Sequence, residues 1–171
     1  MSEILWRRLD RPGHEAARVD GTSVMGAAVF AHDGAACALA YSVVCDASWR
    51  TQHARVRGFV GAREIDVRID VDGERWLLNG NEVDAVRGCI DVDFNFSPST
   101  NLLPIRRGAI GNVRAAWLRF PSFALEPLDQ SYERIGDRMV RYSSATGFTA
   151  DIEVNDDGFP VHYPGFVVKV L

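Results

Sequence analysis

The fold of this chain is decided by residues 89–107, which read C-I-D-V-D-F-N-F-S-P-S-T-N-L-L-P-I-R-R. The first half alternates between apolar and polar residues, as a β-strand with one buried face does. Pro98 ends the alternation, and the second half has a hydroxyl-rich start, an apolar centre and two arginines, which indicates a short helix or a compact loop. We therefore expect acidic and basic side chains to lie close together at this junction. The predicted apolar face holds Ile90, Val92, Phe94 and Phe96, and the predicted polar face holds Asp91, Asp93, Asn95 and Ser97.

Outside this stretch, the chain is punctuated by dipeptides that favour hairpin turns. There are five of them, at Asp20-Gly21, Asp33-Gly34, Asp72-Gly73, Asn79-Gly80 and Asp157-Gly158. The segments between them alternate in polarity or are apolar throughout, which predicts an antiparallel, mainly β protein. Many short strands favour a closed or rolled sheet, because open edges invite aggregation. One helix is predicted, beginning near Ser97 or Thr100 and kept short by Pro104.

Composition predicts an ordinary globular protein. With 171 residues, 47% of them hydrophobic and 25% charged, residues 1–171 are expected to form a single domain. The first ten residues contain no apolar run, so neither a signal peptide nor a membrane span is expected. The three cysteines, Cys37, Cys45 and Cys89, lie among apolar residues and are predicted to be buried free thiols, which favours a cytoplasmic location.

Charge and motifs argue against several function classes. The net charge of −4 is a poor match to nucleic acid, although all of the 19 basic residues except Lys169 are arginine. The sequence has no nucleophile elbow, no phosphate-binding loop and no glycine-rich dinucleotide motif, and it has no metal-binding signature. We therefore expect no cofactor, no metal and binding rather than catalysis.

The polar face of the predicted strand supports several interpretations. Asp91 and Asp93 point the same way and repel each other unless they are compensated, and Arg106 and Arg107 are the nearest cations. The favoured interpretation is a face turned to water. Alternatively the face lines a groove, or Asp91 or Asp93 acts as general base beside Arg106 in a small hydrolase or isomerase. A fourth possibility is a buried structural network that fixes the strand to the helix.

Aromatic and amide side chains supply further candidates. Trp49 and Arg50 follow Asp46 at a predicted turn, where an indole and a guanidinium could hold a sugar ring or a headgroup. The alternative is an interior tryptophan beside a solvent-facing arginine. The segments P-L-D-Q-S-Y and H-Y-P-G-F add hydrogen-bonding groups on amphipathic side chains. The full set of predicted ligand-binding residues is Trp49, Arg50, Asp91, Asp93, Asn95, Asn101, Arg106, Arg107, Gln130, Tyr132 and Tyr163.

Several segments together resemble the bacterial "putative glycolipid-binding" family, formerly a domain of unknown function and also described as a spiral β-roll. The resemblance covers nearly the whole chain, and S-P-S-T-N-L-L-P-I-R-R is its most specific part. It also includes W-R-R-L-D-R-P-G-H-E, Y-S-V-V-C-D-A-S-W-R-T, G-C-I-D-V-D-F-N-F, A-A-W-L-R-F-P, L-D-Q-S-Y and H-Y-P-G-F.

The resemblance implies a sheet of about 15 antiparallel strands rolled around a single short α-helix. The helix is expected to begin near Pro98 or Ser99, with Leu102, Leu103 and Ile105 in the core. It further implies a homodimer that binds a glycolipid or another amphipathic molecule in a groove, through an acyl chain or a sugar headgroup. The family supplies no catalytic residues to carry over, and the binding idea itself rests on the shape of the fold.

Overall fold

A computed structural model describes residues 1–108 and 111–171 of the chain. Its strands are β1 Ser2–Arg8, β2 Gly13–Asp20, β3 Ser23–His32, β4 Ala35–Cys45, β5 Thr51–Val60, β6 Arg63–Asp72, β7 Arg75–Leu78, β8 Asn81–Glu82, β9 Asp91–Phe94, β10 Gly111–Arg119, β11 Ala124–Arg134, β12 Met139–Ser144, β13 Thr149–Val154, β14 Pro160–Tyr163 and β15 Val167–Lys169. Short 3₁₀ turns cover Asp84–Val86 and Pro98–Asn101, and the α-helix α1 covers Leu102–Arg106. The mainly β prediction is confirmed.

All 15 strands belong to one sheet, in the order β8 to β1, then β15 to β9. Consecutive strands pair as antiparallel hairpins, and the five predicted dipeptides lie at or beside turns between strands. The first and last strands, β1 and β15, pair with each other in the middle of the sheet. The connection from β8 to β9 therefore joins one edge of the sheet to the other, and the sheet rolls up without closing.

One strand pair departs from the antiparallel prediction. Strand β9 runs parallel to β10, with Asp91 opposite Ala115 and Phe94 opposite Leu118. Parallel neighbours need a crossover connection rather than a tight turn, and the segment between these two strands carries the helix. The Cys89 to Arg107 stretch is thus a strand and its crossover helix.

Among the described residues, no strand pairs with the other edge of β9, and two threonine hydroxyls accept its N–H groups there instead. The backbone N–H of Val92 donates to Thr51 Oγ1 at 3.0 Å, and that of Phe94 donates to Thr100 Oγ1 at 3.1 Å. The N–H of Thr51 also donates to the carbonyl of Ile90, at 3.1 Å. Because Thr51 begins β5, these bonds bring the end of the sheet against its first half and complete the roll.

The helix lies inside the roll, as predicted. Ser97 caps the 3₁₀ turn by accepting from the N–H of Ser99, and α1 follows directly. Leu102 and Leu103 are fully buried, whereas Ile105 is only partly buried. The turn between β13 and β14 packs on this helix at Gly158, which has a φ of +90° and where an added Cβ would lie 3.4 Å from Ile105.

The remaining core follows the predicted alternation. Ile65, Val67 and Ile69 of β6 are buried while Val71 is partly buried, and all three cysteines are buried and free. Within the described residues, no helix is long and apolar enough to cross a membrane.

We expect Thr51→Val and Thr100→Val each to lower the free energy of unfolding by about 1–3 kcal/mol, because each leaves a buried N–H of β9 without an acceptor. Thr149→Val, on an exposed face of β13, is the matched control and should change stability by less than about 0.5 kcal/mol. Urea denaturation measures all three. Equal effects at the three positions would contradict the role assigned to the hydroxyls.

Candidate functional site

A cleft of about 310 Å³ opens between β9 and the strands of the second half of the sheet. That volume lies at the lower end of the range for small-molecule sites. Polar and aromatic groups alternate around it, so that it is neither an apolar tunnel nor a purely polar hollow. One wall consists of Asp93 to Ser97 and Asn101, and the other includes Trp117, Tyr142, Phe148, Tyr163 and Phe166.

Asp93 is the acid of this cleft. Its Oδ2 accepts a hydrogen bond from the amide of Gln130, which also lies 3.1 Å from the hydroxyl of Tyr142. Burial raises the pKa of Asp93 to about 6; the nearby charge of Asp91 adds to the rise, and the Gln130 bond opposes it. Asp93 therefore has a carboxyl group that changes protonation close to neutral pH.

Asn101 lines the cleft near Asp93, and Tyr132, which does not line it, is hydrogen-bonded to Asn101. The Tyr132 hydroxyl donates to Asn101 Oδ1 at 2.9 Å, and Asn101 Nδ2 donates to the carbonyl of Pro98 at 3.1 Å. Burial is the main cause of a raised pKa at Tyr132, so its hydroxyl remains a hydrogen-bond donor. Of the predicted residues, the structure thus brings together Asp93, Asn95, Asn101, Gln130, Tyr132 and Tyr163.

Asp91 is separated from the cleft and is paired with an arginine. Its side chain is only 3% exposed and receives two hydrogen bonds from Arg107, at 2.7 and 2.5 Å. Arg107 also donates to the carbonyl of Trp49 at 3.0 Å. The favoured expectation of a water-facing acidic row is therefore wrong for Asp91, although Asn95 is exposed. Of the structural network predicted for Asp91, Asp93, Arg106 and Arg107, the structure contains the buried Asp91–Arg107 pair.

Arg106 is not part of that network, which corrects the pairing of Arg106 with the strand acids. It is exposed and forms an ion pair with Asp157, at 3.1 Å. Its guanidinium also lies 5.4 Å from the centre of the Trp49 ring. Successive helical residues point about 100° apart, so only one of two adjacent arginines can face β9.

Trp49 and Arg50 lie away from the cleft. The predicted turn is present, since Asp46 Oδ1 accepts from the N–H groups of Ser48 and Arg50, at 2.8 and 2.9 Å. Trp49 packs partly buried against the core, and Arg50 is exposed. Neither residue lines the cleft beside Asp93.

The far end of the cleft contains an ion cluster that the sequence analysis missed. The buried Arg8 donates two hydrogen bonds to Asp10, at 2.9 and 2.8 Å, and lies between the rings of Phe30 and Phe166. Arg11 donates to the same carboxylate at 2.8 Å. Although burial opposes it, the two arginines hold the pKa of Asp10 below its usual value. No local pattern links this cluster to β9, because its place depends on the pairing of β1 with β15.

Tyr142 and Phe148 were also missed. Tyr142 lies on β12, where the sequence R-M-V-R-Y indicates a strand but no binding site. Phe148 follows the next turn. The ring centroids of Tyr142, Phe148 and Tyr163 lie 6.1–6.2 Å apart in pairs. These three rings come together only through the pairing of successive hairpins, which a sequence does not state directly.

A model of the family described as "Putative glycolipid-binding" matches residues 3–169. The chain belongs to this family. The crystal structure of a DUF1089 family protein from Pseudomonas aeruginosa is similar to it, with a TM-score of 0.84, 24% sequence identity and 91% of each chain covered. At that identity the likeness shows the fold alone. No curated protein matches the chain.

This member of the glycolipid-binding family has a second buried acid behind the cleft. Glu15 accepts hydrogen bonds from the hydroxyls of Tyr41, at 2.5 Å, and Ser97, while its Oε2 has no partner among the described residues. Burial raises the pKa of Glu15 to about 7, against the effect of these two donors. Glu15 does not line the cleft. Its hydrogen bond with Ser97 connects β2 to the start of the 3₁₀ turn.

The described residues contain no group of three or more histidine, cysteine or acidic side chains placed to hold a metal ion. The cleft itself is lined by carboxylate, amide, hydroxyl and guanidinium groups, together with aromatic rings.

We expect Arg107→Leu to destabilise this family member by about 3–5 kcal/mol, because it leaves the buried Asp91 carboxylate without its cation. The neighbouring Arg106→Leu is the control and should cost about 1 kcal/mol or less, since its ion pair is exposed. Urea denaturation compares them. Replacing both Asp91 and Arg107 by leucine should recover part of the loss. If Arg106→Leu proved as costly as Arg107→Leu, the assignment of the buried pair would be wrong.

Proposed function

We propose that the protein binds a glycolipid without catalysis and holds the polar headgroup in the cleft beside Asp93. The observation that carries this proposal is that the carboxyl group of Asp93, the amide of Asn101 and two tyrosines, Tyr142 and Tyr163, line one cleft together with further aromatic rings. Sugar hydroxyls both donate and accept hydrogen bonds, and their ring faces pack on aromatic side chains. The family description supports the same ligand class.

The size of the cleft suits a headgroup better than an acyl chain. About ten water molecules would fill 310 Å³, at roughly 30 Å³ each. The interior of the roll is filled by large buried side chains, among them Trp6, Phe94, Phe96 and Leu102. Phe148, which is 45% exposed, lies at the mouth and offers an apolar surface to the first part of a lipid tail.

A small hydrolase or isomerase is the second candidate, and one observation favours it. The raised pKa of Asp93 is that of a group able to accept a proton near neutral pH. Arg106 would have no part in such a reaction, because it pairs with Asp157 outside the cleft. The two candidates differ in whether a bound glycoside is recovered intact or cleaved or isomerised.

We expect n-octyl β-D-glucoside, below its micelle concentration, to bind saturably and more tightly than methyl β-D-glucoside. Phe148→Ala should lower the affinity for octyl glucoside by about five- to thirtyfold, since it removes roughly 1–2 kcal/mol of apolar contact. The affinity for methyl glucoside should remain nearly unchanged. Isothermal titration calorimetry measures both ligands.

The matched control is Ile135→Ala, which removes an exposed apolar side chain that does not line the cleft. It should bind both glucosides like the unaltered protein. Absence of saturable binding, or equal losses in the two variants, would contradict a headgroup site beside Asp93.

We also propose that the protein is a cytoplasmic, single-domain homodimer. Its free, buried cysteines support the location, and its one continuous sheet supports the single domain. The outer face of β3, β4 and β5 supports the dimer, because Val29, Ala38 and Phe59 lie in one row across the three strands. Val29 and Phe59 are well exposed, and Ala27, Ala36 and Ala40 near them are exposed as well, so these strands offer an apolar surface on which a second copy can pack sheet on sheet.

We expect the unaltered protein to sediment as a dimer and Val29→Glu to sediment as a monomer, because a charge in the middle of the packed face would be buried without a partner. Ile135→Glu, which places the same charge on a different exposed apolar position, should leave the dimer intact. Analytical ultracentrifugation decides between these outcomes. A monomeric unaltered protein would contradict the assembly.

A further inference from the structure

Asp93 is a carboxylate without a cationic partner. Within residues 1–108 and 111–171, no arginine, lysine or histidine forms an ion pair with it, whereas Asp91 has Arg107 and Asp10 has Arg8 and Arg11. Its Oδ2 accepts from the neutral amide of Gln130, and its Oδ1 accepts from no described residue and is open to the cleft. A partly buried carboxylate that has only a neutral amide as its partner is stabilised most by a cation from outside the chain.

The aromatic groups around Asp93 favour the same kind of ligand. Tyr142, Phe148 and Tyr163 line the cleft as a cluster, and Trp117 lines it as well. The faces of aromatic rings carry partial negative charge and attract ammonium groups. Carboxylate and rings therefore make this end of the cleft electronegative.

The opposite end of the cleft holds two cations, Arg8 and Arg11. Arg8 is held by Asp10 and by the carbonyl of Phe96, at 2.6 Å, and Arg11 is held by the same Asp10 and by His32. Two arginines and one carboxylate leave a net charge of +1 there, so the positive end of the cleft lies apart from Asp93. An anion placed beside Asp93 would be repelled.

We propose that the headgroup carries a protonated amine, as an amino sugar does, and that the amine binds between Asp93 Oδ1 and the rings of Tyr142 and Tyr163. This inference rests on the proposed function, since it names the chemical class of the headgroup at the same site. Gln130 is a positioning residue, because it holds the carboxylate by its other oxygen. The side chains of Asn95, Asn101 and Tyr163 can then form hydrogen bonds with the sugar hydroxyls.

The test compares three soluble probes that differ at one carbon: methyl β-D-glucosaminide, methyl β-D-glucoside and the neutral methyl N-acetyl-β-D-glucosaminide. At pH 7 the amine should bind about ten- to a hundredfold more tightly than either neutral sugar, the range expected for one charge-assisted contact. Asp93→Asn, which keeps the shape of the side chain, should reduce that preference to less than about threefold.

A pH series on the unaltered protein gives a second, independent measurement. The affinity for the amine should fall as the pH is lowered through about 6, because Asp93 becomes protonated and neutral, while the affinity for methyl glucoside should change little. The groups that face Asp93 are Asp91 on its own strand, Gln130 and Tyr132 on β11, Tyr142 on β12 and Tyr163 on β14. The tyrosines stay neutral in this range, since burial raises the pKa of each.

Equal affinity of the unaltered protein for the amine and the neutral sugars would overturn this inference and leave headgroup binding standing. A preference for the amine that persists unchanged in folded Asp93→Asn would overturn it as well. No saturable binding of any of the three probes, together with none of octyl glucoside, would remove the proposed function itself.

Discussion

Strand β9 lies inside a rolled sheet, and its backbone must be hydrogen-bonded on both edges. Strand β10 pairs with one edge of β9, and the hydroxyls of Thr51 and Thr100 accept hydrogen bonds from N–H groups at the other edge. Unsatisfied N–H groups in this position would cost as much as a sizeable part of the net stability of a domain. The two threonines therefore set where the strand lies, and with it the wall of the cleft.

The fixed position of β9 gives two acids of one strand face different roles. Asp91 is buried where it meets Arg107, the residue directly after the helix, and the pair fixes the strand to its crossover segment. Asp93, two residues further along the strand, does not contact Arg107. It lines the cleft and accepts a hydrogen bond from Gln130. The same sequence pattern thus supplies a structural ion pair and a carboxylate in the cleft that, within the described part of the chain, forms no ion pair.

Much of this architecture could be predicted from local sequence. Asp-Gly and Asn-Gly turns marked the hairpins, alternating polarity marked the strands, and the segment that follows Ser97 was expected to form a short helix. The partner of Asp91 could not be predicted, because choosing between Arg106 and Arg107 requires the rotation of the helix.

The residues that line the cleft could not be predicted from the sequence for a related reason. Arg8, Tyr142 and Phe148 come to the cleft through the order of the strands in the sheet, and for Arg8 this includes the pairing of β1 with β15, which no spacing in the sequence encodes. The most direct test of the central claim is the mapping of amide chemical shifts in ¹⁵N-labelled protein during titration with octyl glucoside. The account predicts changes concentrated along Asp93 to Ser97 and around Thr146 and Gly165, which line the cleft. Changes centred on the turn at Trp49 and Arg50, with the cleft unaffected, would contradict it.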